Sequence, residues 1–150
     1  MWHRNALTDR LKLNWPIFQA PMGDLSTPAL AAAVANNGGL GGLGMWGYSA
    51  TEAERRIAGF RQLSGGSLNV NYPLWENPGD LTGTCQAMRT HLQALFDEHG
   101  LGPVPQPTAS AGEVDADHLA VLQKLKPEVV SFHFGLPHDE VINAIKAAGI

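Results

Sequence analysis

The apolar run VVSFHF, from Val129 to Phe134, carries a histidine, His133, near its end. A neutral imidazole, with a pKa near ~6.5, can take a proton from a carbon acid or hold a developing anion at neutral pH. The same placement also suits a buried, hydrogen-bonded core histidine. Asn69 and Asn71, in SLNVN, present amides whose donor and acceptor faces could read a heteroaromatic ring, or could simply end a strand and begin a turn. Gly42 and Gly44 lie in NGGLGGLGMWG, from Asn37 to Gly47. Without side chains they would let a flat ring or a phosphate approach the backbone closely, or merely let a helix pack on a glycine strand. His133 and His138 are separated by Gly135 and Pro137, so they do not form the i, i+4 helical pair of a zinc site, and no metal is expected. His3, His91, His99 and His118 fall in expected helices or near the terminus and read as surface groups.

These residues need elements to position them. WPIFQA, Trp15 to Ala20, reads as a first strand between Pro16 and Pro21. Thr27 can cap a helix with Pro28 at its first position, and Gly38 and Gly39 end it. Leu40 to Leu43 is a second, glycine-rich strand, followed by a helix from about Thr51, where Thr51 and Glu54 have capping-box spacing. Ser67 to Asn71 is a third strand, with Leu68 and Val70 on one face and Asn69 and Asn71 on the other. Tyr72 to Gly83 reads as a loop, and Cys85, Met88, Leu92, Leu95 and Phe96 then form a helical core stripe ending near Gly100. Pro103, Pro105 and Pro107 mark a connection, and Asp115 can cap the next helix. Val129 to Phe134 is a fourth strand, too apolar to face water on one side. Asp139 to Ala148 is a last helix, and Ile150 would open a fifth strand.

Short apolar strands alternating with helices imply an α/β fold with a parallel sheet, either doubly wound or part of a (β/α)8 barrel. In both, ligands bind at the carboxyl ends of the strands. Gln19 to Gly23, Gly42 to Met45, Asn69 to Asn71 and Ser131 to His133 all collect at such ends. GLGGLG matches G-x-G-x-x-G, but a dinucleotide turn needs a strand before its glycines and an acid ~20 residues on. Here a helix precedes them and no carboxylate stands near Ser64, so the match is accidental.

With 150 residues, 44% hydrophobic and 16% charged, the chain has the size of one domain with a sizeable core. A net charge of -4 without a basic cluster argues against a nucleic-acid partner. Cys85 is the only cysteine, which excludes an intrachain disulfide, suits a cytoplasmic location and reads as a buried structural thiol. No stretch reaches the ~18 apolar residues of a membrane span, and the N-terminus lacks a signal-type apolar region.

PIFQAPMGDLSTPALAAAVANNGGLGGLG, then NVNYPLW, then VVSFHFGLP together resemble, in order and spacing, the nitronate monooxygenase (2-nitropropane dioxygenase) family over Trp15 to Ile150. The resemblance implies an FMN-dependent (β/α)8 TIM barrel. It implies that Ala20, Pro21 and Met22 form the loop lying against the flavin, that Gly44 stands beside the cofactor, and that Asn71 touches the flavin ring. His133 is implied as the base acting on nitroalkanes. The implied reaction oxidises an alkyl nitronate with O2 through FMN, giving a carbonyl compound and nitrite or nitrate. Gly23-Asp24 departs from the smaller uncharged pair usual in that loop.

The family's phosphate site is built from glycine-rich loops after later strands. A complete barrel takes about 250 residues, so residues 1–150 are expected to be the N-terminal half of one FMN-binding domain, from the first strand to the start of the fifth. Alone, that half is expected to bind FMN poorly. Two other readings stand beside this one. An FMN-dependent enoyl-ACP reductase would share the first two segments, although SFHFG argues against it. A non-catalytic half-barrel would bury its open edge against another chain, as in a homo-oligomer.

Overall fold

The structure is a computed structural model that describes residues 2–75, 82–105 and 114–150. The chain forms two compact units, one made of Met1–Trp75 with Gly112–Ile150, the other of Glu76–Ala111. In chain order the elements are α1 (Ala6–Arg10), a 3-10 turn (Gly23–Leu25), α2 (Pro28–Asn36), β1 (Gly41–Gly44), α3 (Ala50–Leu63), β2 (Leu68–Pro73), α4 (Thr82–Glu98), α5 (Ala116–Leu125), β3 (Val129–His133) and α6 (Asp139–Ala147).

The larger unit is an α/β structure around a parallel sheet in the order β1-β2-β3. Its register pairs Gly44 with Asn71, Asn71 with Ser131 and Pro73 with His133. Because side chains alternate across a strand, Leu43, Leu68, Val70 and Tyr72 share one face, and all four are buried. They pack with Ala31 of α2, Ile57 and Phe60 of α3 and Leu122 of α5. The opposite face carries Gly42, Gly44, Asn69, Asn71, Ser131 and His133, the alternation expected of SLNVN. Near the amino end of β3, Val129 is closed off by Leu11, Leu13 and Leu40. Leu11 is anchored there because its carbonyl accepts the buried Ser67 hydroxyl at 2.5 Å.

Local chemistry sets the helix starts. The side chains of Thr27 and Asp115 accept from the amides of Leu30 and His118, as their sequence positions predict. At α3 the cap is Ser49, which accepts from Glu52 N at 3.3 Å, so the Thr51/Glu54 box does not form. The short α1 was not expected; Asn5 and Thr8 bond reciprocally there as a capping box.

The expected first strand, Trp15 to Ala20, is reduced to one parallel bridge between Phe18 and Leu40. Leu40 N donates to Ile17 O and Gln19 N to Leu40 O. The next donor in that register would be Pro21, which has no N–H. Instead the Gln19 amide takes over, accepting from Gly42 N at 3.2 Å and donating to Gly42 O at 3.1 Å. A side chain thus replaces the ladder.

Other expectations are corrected as well. Tyr72 and Pro73 belong to β2 rather than to a loop, and Ile150 lies in no strand but packs partly buried against the core. β3 is only half-buried, because among the described strands it has a single neighbour. His118 is buried rather than on the surface: Nδ1 lies 2.7 Å from Asp115 Oδ1, Nε2 lies 3.0 Å from Tyr48 O, and the ring meets Tyr72 edge-on.

Within the smaller unit α4 is the described helix. Its expected core stripe is not buried, since Met88 and Leu95 are exposed and Cys85 is half-buried. The end of the helix is held by polar bonds: Leu101 N donates to Phe96 O, Arg89 to Val104 O, and the Gln93 amide joins Gly102 O and Val104 N. Gly83 falls within α4, while Pro107 and the residues between 76 and 81 lie outside the described residues.

Candidate active site

The carboxyl ends of β1, β2 and β3 bring the sequence-predicted residues into one neighbourhood of the larger unit. Gly44 and Asn71 are register partners, and Asn71 is bonded to His133, with Asn71 Oδ1 2.8 Å from His133 Nδ1. Asn71 is buried, and its Nδ2 donates to Ser131 Oγ at 2.9 Å. His133 is exposed, and its Nε2 makes no hydrogen bond among the described residues. An imidazole held on one nitrogen and open on the other is suited to exchanging a proton with a small molecule.

The Ala20, Pro21 and Met22 loop is built against the same strand end. Buried Ser26 bonds it from beneath, accepting from Met22 N at 2.7 Å and donating to Ala20 O at 3.2 Å. Arg56, buried on α3, donates to Ser26 O at 2.8 Å and reaches Gly23 O at 3.4 Å. Its guanidinium also lies over the Tyr48 ring, 4.5 Å from the centroid. Two carbonyls and an aromatic face therefore accommodate this buried cation. The Tyr48 hydroxyl donates to the Asp24 carboxylate, and that bond raises the phenol above its ordinary pKa.

The loop's closeness accounts for the glycines. A Cβ on Gly44 would stand 2.7 Å from Gly23 N, and one on Gly42 would stand 2.5 Å from Gln19 O. The space expected to admit a ring or phosphate beside these two residues is filled by the chain's own backbone. Gly41 faces the other way, where a Cβ would meet Ala31 O of α2 at 2.5 Å. Both proposed uses of a glycine strand are thus present on opposite faces, with a loop in place of the ligand.

Aromatic rings surround the strand ends. Trp46 follows β1, Trp75 follows β2 and Phe134 follows β3; their rings form a chain with centroids 5.4 and 6.0 Å apart, and Phe134 lies 4.5 Å from the His133 ring. Phe134 has φ 71°, a left-handed conformation costly for a non-glycine residue. Gly135 completes the turn where a Cβ would meet Leu74 O at 2.8 Å. Trp46 and Phe134 are largely exposed, as is Met22 across the same edge. Sequence reasoning gave no role to Arg56, Ser26, Trp46, Trp75 or Phe134. The one available signal was that each tryptophan and Phe134 comes one or two residues after a strand end. Ser131 was visible at its strand end, and two-residue alternation puts it on the His133 face.

The chain is similar to several known proteins. A nitronate monooxygenase of Paraburkholderia phytofirmans is 39% identical over 98% of this chain and 41% of its own length. A nitronate monooxygenase of Pseudomonas aeruginosa is 38% identical over 96% of this chain and 43% of its own. Among solved structures, a nitroalkane oxidase from Streptomyces ansochromogenes superposes with a TM-score of 0.81 at 34% identity, covering 97% of this chain and 40% of that one. The chain therefore spans about two fifths of the length of these relatives. The sequence profile of the nitronate monooxygenase family matches residues 4–150, and the chain belongs to that family.

Proposed function

We propose that the protein oxidises alkyl nitronates, and the nitroalkanes from which they form, with dioxygen and FMN. The observation that carries this reading is the His133 imidazole, bonded through Nδ1 to Asn71 and open at Nε2 on the carboxyl edge of a parallel sheet. The sheet is read as the opening part of a (β/α)8 barrel, in keeping with its parallel order and with the segment at Phe18 lying beside β1.

The residues present fit a flat heteroaromatic cofactor. Asn69 Oδ1 is buried and has no partner among the described residues, on the same sheet face as Asn71 and His133. A buried acceptor of this kind is costly unless a donor reaches it. Ala20, Pro21 and Met22 would offer apolar loop surface to the ring, Gly44 would keep that loop close to the strand, and Asn71 would stand at the ring's polar edge. Bound there, FMN supplies the electron acceptor that delivers electrons from substrate to dioxygen.

The chain's own part is proton transfer and orientation. His133 Nε2 accepts the α-proton of a nitroalkane and converts it to the oxidisable nitronate; an imidazole is matched to that task near neutral pH. Trp46 and Phe134 present apolar surface to the alkyl part of the substrate. The carbonyl product leaves with nitrite or nitrate as the nitrogen product. Because residues 1–150 alone are expected to hold FMN poorly, the test is turnover of an alkyl nitronate in air by this segment joined to the later strands of a family barrel, followed by oxygen uptake and nitrite release. Stoichiometric uptake and release are expected, and NAD(P)H-dependent reduction of an enoyl thioester in their place would contradict it.

A further inference from the structure

We infer that Asn71 is a positioning residue that fixes the tautomer of His133. This rests on the reading of His133 as a base. The three side chains form a relay across two neighbouring strands. Asn71 Nδ2 donates to Ser131 Oγ at 2.9 Å, and Oδ1 faces His133 Nδ1 at 2.8 Å. The register makes the relay geometrically natural, because Asn71 and Ser131 are direct partners and His133 is two residues farther along the same face.

An amide oxygen only accepts, so the neutral imidazole opposite it must carry its proton on Nδ1. The lone pair is then on Nε2, the nitrogen left open. With the amide reversed, an N–H would face Nδ1, the ring would hold its proton on Nε2, and the exposed nitrogen could no longer take a proton. Asn71 is buried whereas His133 is exposed. The buried partner therefore imposes its orientation on the exposed one. This gives Asn71 a task that contact with a cofactor ring alone does not.

The test is a nitrogen-15 spectrum of the histidine rings in the intact chain at a pH where His133 is neutral. Wild type is expected to show His133 as the Nδ1–H form. Asn71→Leu should shift the population toward Nε2–H and lower kcat for a nitroalkane by about 10-fold. Asn71→Asp keeps an acceptor opposite Nδ1, so it should retain the tautomer. Its charge favours the imidazolium, so it should move the rise of nitroalkane activity to higher pH. An Nε2–H ring in wild type, or the same tautomer in wild type and Asn71→Leu, would overturn the assignment. Failure of the base reading is distinguishable: it would appear as nitroalkane turnover surviving the loss of His133 itself, whatever the tautomer.

Discussion

At Gly44 the missing side chain serves the chain's own packing. A methyl there would sit 2.7 Å from Gly23 N, a backbone atom that Ser26 and Arg56 hold in place through its neighbours. Gly44→Ala is therefore expected to lose about 1–3 kcal/mol, the usual range for overpacking, measured by urea unfolding. Tyr72 presents the reverse case. Its hydroxyl is buried with no partner among the described residues, and burial pushes its pKa well above that of a free phenol. Tyr72→Phe should change stability by less than about 1 kcal/mol at neutral pH, since no bond is lost. Because the folded pKa is the higher one, the neutral phenol's contribution is complete below the unfolded value of about 10 and is lost as pH rises beyond it. Wild type should accordingly lose stability above about pH 10 more steeply than Tyr72→Phe, which unfolding curves at stepped alkaline pH would resolve. The sequence placed Gly44 and Asn71 near strand ends, and β1 does end at Gly44 while β2 runs two residues past Asn71. It could not show that a loop fills the space over one glycine, because that depends on residues some twenty positions away.

Among the elements, those set by neighbouring residues were the most legible. Thr27-Pro28 and Asp115 start α2 and α5 as their local chemistry requires. Asp115 accepts from the His118 amide, and this bond, the largest influence, holds its carboxyl below the ordinary value. Asp115→Ala should cost ~0.5–2 kcal/mol by thermal or urea unfolding, whereas Asp115→Asn, also a good cap, should cost less. The lowered pKa means that this contribution is present above the unfolded carboxylate pKa near ~3.9 and fades as pH falls through the folded value. The side chain's exposure keeps the electrostatic part small. Trp15 to Ala20 was misread because its apolar pattern is that of a strand, while the ladder depends on what Pro21 cannot donate and what the Gln19 amide supplies instead. His118 was misread for a similar reason: its burial follows from Tyr48 and Tyr72, both remote in sequence.

For the whole molecule, parallel register turns separate motifs into one site. QAPM, GGLG, NVN and SFHF are scattered over more than a hundred positions; strand order β1-β2-β3 brings the last three together, and the Phe18–Leu40 bridge holds QAPM beside β1. Alternation of strands and helices made this edge legible in the sequence. The relay of Ser131, Asn71 and His133 was not legible, since it needs the register as well as the strands. The central claim is that His133 acts as the base toward a carbon acid at this edge. Its most direct test compares His133→Asn with wild type, using a neutral nitroalkane and the corresponding preformed nitronate as substrates. The variant should lose ~100-fold or more in kcat/KM for the nitroalkane, the scale of a lost general base, while oxidising the nitronate at a rate near that of wild type. Equal retention of both activities would contradict the account.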